Sequence, residues 1–203
     1  MQRATACFII LFLGLSVFLY AQDDSPSVEI DWDDYASDLY VRGDQVFIIS
    51  LGTVFPTIFI NNGKLLDHNF SPPVGGAGSL AYSYFLNSMF FIGGELGGMF
   101  LPTLGANTVF IIPLGFTGGM QFIVQRFEFP ISFAIGMNWH TYLDKGYYGL
   151  YAKLGGAAYF RATTEWSFGL SSYWGWFPQW TNEPSKNVDG NFIFLTLSAR
   201  YHF

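Results

Sequence analysis

Cysteine is all but missing. The single one, Cys7, lies in the extreme N-terminal stretch. From residue 22 onward the chain therefore builds neither a disulfide nor a cysteine-ligated metal site, and must hold together by backbone ladder and packing. Charge is scarce as well: Asp, Glu, Lys and Arg make up 12% of the residues, where an average globular protein has about 25%. The few bases form no patch, so nucleic acid is not an expected partner. Histidine occurs only at His68, His140 and His202, and neither a Gly-x-Ser-x-Gly elbow nor a His-Glu-x-x-His run is present. These gaps argue against hydrolase and zinc-protease chemistry; no catalytic residue, metal or cofactor is expected. Asp31, Asp33 and Asp34 lack the spacing and the glycine of a calcium loop. Also missing after the N-terminus is any run of about 18 apolar residues, so a hydrophobic content of 51% is not explained by a membrane helix.

The N-terminus does have a short apolar run. Arg3, an apolar core from Cys7 to Leu19, and Leu19-Tyr20-Ala21 read as a secretory signal over residues 1–21. Residues 22–44 then carry eight acids against one base, Arg42, whereas residues 45–203 carry seven of each. The formal charge of −6 thus belongs to a short acidic segment, expected in the periplasm, and not to the domain that follows.

What dominates residues 45–203 is alternation. The last strand reads Ile193, Leu195, Leu197, Ala199, Tyr201, Phe203 on one face and Thr196, Ser198, Arg200, His202 on the other. A period of two is the mark of a strand with unlike faces. The same pattern recurs over about 45–55, 74–86, 89–101, 108–123, 128–141, 147–160 and 165–177, which makes eight strands. Long loops are expected over 56–73 and 178–190, shorter ones over 102–107 and 143–146, and a local bulge at Pro113. One face of each strand is large and apolar, and the other is mostly Gly, Ala, Ser and Thr with the rare charges. A soluble barrel would need charge on its wet exterior; a transmembrane barrel turns the apolar face to lipid and encloses the small polar one. Trp and Tyr near strand ends (Trp139, Tyr148, Trp166, Trp174, Trp176, Tyr201) fit interfacial girdles. The expected fold is all-β: an eight-stranded antiparallel up-and-down transmembrane β-barrel in the outer membrane, with both termini in the periplasm.

By this parity Gln121, Asn138, His140, Tyr151, Lys153, Tyr159, Glu95, Glu165, Arg200 and His202 point inward. Two lumen ion pairs are expected, Glu95–Lys153 near mid-barrel and Glu165–Arg200 near the periplasmic end. Tyr173, Phe177, Phe192 and Phe194 are expected to form an apolar external mouth. Tyr201 and Phe203 form the terminal aromatic pair. That ending resembles the closing strand of bacterial outer-membrane barrels, a resemblance that implies recognition by the barrel assembly machinery.

The chain also resembles the small OmpW-like outer-membrane barrels, and the treponemal outer-membrane proteins of that type in particular. The residues that carry this are the run from Gly93 to Phe100, Pro113-Leu114-Gly115-Phe116, Tyr142-Leu143-Asp144 and the run from Leu197 to Phe203. The resemblance implies passage or binding of small hydrophobic solutes in a narrow lumen, with outer-membrane lipid around it. The alternative is a non-conducting barrel whose long loops serve adhesion or partner binding.

Overall fold

The computed structural model describes residues 40–61, 63–66, 72–103, 107–142, 145–179 and 187–203. The expected signal peptide and most of the acidic segment lie outside the described residues. Among these residues are nine strands: β1 Gln45–Asn61, β2 Lys64–Leu66, β3 Gly75–Phe85, β4 Phe90–Pro102, β5 Thr108–Val124, β6 Phe127–Tyr142, β7 Lys145–Arg161, β8 Trp166–Gln179 and β9 Val188–His202. The three-residue β2 pairs only with β1, so it lengthens the tip of that strand and is not a stave. The other eight pair antiparallel with their neighbours in chain order, and β9 returns to β1. The sheet closes on itself and leaves no stave with a free edge, which in a bilayer would carry unpaired backbone polar groups. Each stave has 11 to 17 residues, enough to cross a bilayer, which takes about 9–11 tilted residues.

Alternation sets the faces. Phe47, Ile49 and Leu51 on β1, Phe133, Ile135 and Met137 on β6, and Leu195 and Leu197 on β9 point outward and are exposed. Val46, Ser50 and Val54 on β1, Asn138 on β6, and Thr196, Ser198 and Arg200 on β9 point inward and are buried. Every strand keeps the expected parity, and a slip by one residue would reverse all of them. Such an inside-out surface is stable in hydrocarbon and not in water.

The prolines correct several sequence expectations. The loop expected from residue 56 begins later, because β1 runs through Pro56 to Asn61 and folds back as β2 past Gly63 (φ 76°). The β1–β9 register shifts between Pro56 and Phe59, so the bulge lies there. No register shift occurs at Pro113: pairing with β4 lapses between Leu96↔Leu114 and Met99↔Ile111 and resumes unchanged. Proline lacks an N–H for that bond. Gly97 makes room for its ring, since a Cβ there would stand 2.9 Å from Pro113 Cγ. Pro130 does the same on β6, with a lapse between Glu128↔Tyr159 and Ile131↔Gly156. Strand β8 runs through Pro178, which pairs with Asp189, and β7 starts at Lys145, so both adjoining loops are shorter than expected.

Candidate functional site

The lumen is the candidate site, and its two ends are built differently. At the end where Gln45 and Phe203 exchange backbone hydrogen bonds, here the lower end, a polar network is centred on Glu128. Glu128, the second residue of β6, points inward and is fully buried. Its Oε2 accepts from Arg200 Nη1 (2.9 Å), Tyr40 Oη (2.9 Å) and Gln121 Nε2 (3.1 Å). Its Oε1 accepts from Ser167 Oγ (3.0 Å) and lies 3.5 Å from Arg161 Nη1. Burying a carboxylate alone would be prohibitive; two guanidiniums and three neutral donors make it tenable.

Tyr40 stands just before β1 and reaches up into this network. Its ring stacks on Phe85 at 3.9 Å, and its hydroxyl lies 3.1 Å from His202 Nδ1. Val46, Phe85 and Phe91 close around it. Burial, and next the Glu128 carboxylate beside it, push the Tyr40 hydroxyl above its ordinary range, so it stays protonated.

The upper end is closed by apolar side chains. Phe192 meets Phe177 edge-on at 5.5 Å and Phe59 at the same distance, and Phe177 stacks on Tyr151 at 5.6 Å. Val54, Met99, Leu101 and Ile111 fill the rest. Between the two ends lies a cavity of about 70 Å³ lined by Ser50, Met99, Thr117, Lys153 and Arg200 among others. That is room enough for water.

The structure brings together Glu95 and Lys153, whose Oε2 and Nζ are 2.7 Å apart on the cavity wall. Tyr151 Oη adds a longer bond of 3.4 Å to Glu95 Oε1. Arg200 and Glu165 are not brought together. Glu165 is exposed in the turn before β8, outside the strand whose parity would have turned it inward, and Arg200 pairs with Glu128. Of the residues expected to form a mouth, Phe177 and Phe192 are buried in the upper plug, with Phe194 packed against it. Tyr173 sits deeper: its ring lies 4.8 Å from Lys153 Nζ and its hydroxyl accepts from Ser132 Oγ at 3.3 Å. Tyr201 and Phe203 face outward on the lower rim, where they pack with Trp166 and Tyr82.

Glu128, Arg161 and Tyr40 were not foreseen. The alternation itself exposes the first two: Glu128 shares the parity of Ser132 and Asn138, and Arg161 that of Lys153 and Tyr159. Tyr40 left no periodic signal. Nor was the closeness of Ser167 Oγ to His202 Nε2, 2.8 Å, foreseen. Those two residues lack the geometry of a nucleophile and its base: the hydroxyl donates to Glu128, the second imidazole nitrogen faces Tyr40 and no carboxylate, and Ser167 is fully buried.

The fold defines the class of protein: an eight-stranded outer-membrane β-barrel. A family model matches residues 22–201, and the chain belongs to that family. One relative, an uncharacterized protein of Treponema pallidum (strain Nichols), is 30% identical over 142 residues, which cover 70% of this chain and 62% of the relative. A second uncharacterized protein of the same strain is 28% identical over 98 residues, 45% of this chain and 34% of the relative. The chain thus matches less than two thirds of the length of either. Among solved structures, Neisserial surface protein A (NspA) superposes with a TM-score of 0.55 at 8% identity, over 79% of this chain and 97% of that one. At that identity the likeness concerns the fold alone.

Proposed function

We propose that this barrel is a binding lumen for small, largely apolar solutes, closed in the state described, with both termini in the periplasm and the aromatic plug towards the cell exterior. Residues 1–21 act as the cleaved signal, and Tyr201 and Phe203 as the signal for the assembly machinery. The observation that carries the reading is the cavity between the polar lower network and the aromatic upper plug. An open porin would need a continuous water path, and among the described residues both ends are packed with side chains. Solute entry requires the upper aromatics to swing aside.

The filled ends also favour a second reading, a non-conducting barrel that presents its external loops to a partner. Planar bilayers and tracer uptake separate the two. The wild-type barrel is expected to show no steady ion conductance yet to take up a small apolar tracer, and Phe177→Ala with Phe192→Ala to speed that uptake. No uptake by either protein would sink the first reading and favour the second.

A further inference from the structure

We propose that the central cavity selects anions and takes a short-chain carboxylate, with the acid group at Arg200 and the alkyl part against Met99, Phe177 and Phe194. The inference deepens the proposed function and rests on its cavity. Three observations converge on it.

First, Arg200 is 2% exposed and lines the cavity, and its Nε–H has no acceptor among the described residues. Its Nη1 is already committed to Glu128 and Gln121, and its guanidinium lies over the Tyr159 ring at 4.1 Å. The Nε–H is thus a buried donor without an acceptor, on a residue that lines the cavity. Thr117 Oγ1, on the same cavity wall, is also buried without a partner. Buried polar atoms of this kind call for a partner.

Second, the charges do not balance. Among the described residues that point into the lumen, Lys153, Arg161 and Arg200 face two carboxylates, Glu95 and Glu128. Lys153 is matched by Glu95. Glu128 is shared by both arginines, so among the described lumen residues the bases outnumber the acids by one before His202 is counted. An anionic acceptor suits this N–H better than a neutral one, because its bond to a guanidinium is charge-assisted. The same excess repels a cation.

Third, the lining is two-sided. Arg200 and the hydroxyl-bearing residues Ser50 and Thr117 occupy part of it, and Met99, Phe177 and Phe194 another. A carboxylate oxygen accepts well from a guanidinium N–H, and an alkyl chain gains by leaving water. The space is small, about 70 Å³, which favours a short acid over a long-chain one.

The full-length barrel, refolded in detergent micelles with isotope-labelled arginine, is titrated with butyrate, 1-butanol and n-butylammonium while the side-chain Nε–H resonances are followed. Arg200→Lys identifies the Arg200 signal by its loss. Butyrate is expected to move that signal saturably and to bind at least about tenfold more tightly than butanol, as one charge-assisted hydrogen bond provides, and butylammonium to leave it unmoved. Met99→Trp, which fills the apolar side, is expected to abolish the shift with the starting resonance kept. If butanol binds as well as butyrate, the anion selection falls and the solute-binding lumen stands. If none of the three moves the signal, the carboxylate site is overturned, and tracer uptake alone decides the solute-binding lumen. If Met99→Trp still responds, the binding lies elsewhere and the proposal is overturned.

Discussion

At the scale of single residues, Glu128 does most to decide what the lower lumen is. Removing one member of a buried ion pair strands the other charge in a low dielectric, at a cost of about 3–5 kcal/mol. Glu128→Ala leaves both Arg161 and Arg200 in that position, and its urea midpoint in micelles is expected to fall accordingly; a midpoint equal to wild type would show the network to be idle. Tyr40 has a pH signature. Its folded-state pKa lies above the ordinary value of 10.0, so folding holds the proton more tightly than the unfolded chain does. The stabilising contribution is present below that value and is lost as pH rises beyond it. The stability difference between wild type and Tyr40→Phe is therefore expected to shrink above about pH 10 in paired urea titrations.

Legibility at this scale turned on where strands end. Extending β7 by one residue brings Arg161 into the lumen, and starting β8 one residue later leaves Glu165 outside it. Alternation says which way a side chain points only within a strand. It also says nothing of reach across the barrel: Arg200 on β9 meets Glu128 on β6, where adjacency alone pointed to the neighbouring strand. Glu95 and Lys153 were legible because both lie well inside their strands.

At the scale of elements, the ladder is shaped by residues that have no side chain or no N–H. Gly115 and Gly136 face each other across β5 and β6. A Cβ on Gly115 would stand 2.6 Å from Tyr151 Oη, the hydroxyl that reaches Glu95, and would also meet the Ile135 carbonyl. Gly115→Val is expected to cost about 1–3 kcal/mol by overpacking and to displace Tyr151, read as a lower urea midpoint together with a changed near-ultraviolet circular dichroism spectrum. Normal values of both would mean that the strands part without strain. Pairing partners were legible from the order of alternating segments, since neighbours in sequence are neighbours in the sheet. The proline sites were legible only as irregularities. Whether a proline bulges a strand or merely interrupts its bonds depends on what faces it, and Gly97 faces Pro113.

For the whole molecule, composition spoke first: too little charge for a wet exterior and no run long enough for a helix leave closure of a sheet as the solution in lipid. Its cheapest test is a gel. The unboiled barrel is expected to migrate differently from the boiled one, and identical mobility would deny the closed fold. Closure also has a kinetic side. Every other pairing between staves joins strands consecutive in the barrel, a local contact. The β1–β9 seam joins Val46 to His202, nearly the whole length of the domain, and so carries the largest loop-closure entropy. Hairpins can zip early, but the seam cannot form until the last strand is available. Until that moment both seam strands present open edges, which makes the unsealed sheet the species most exposed to aggregation.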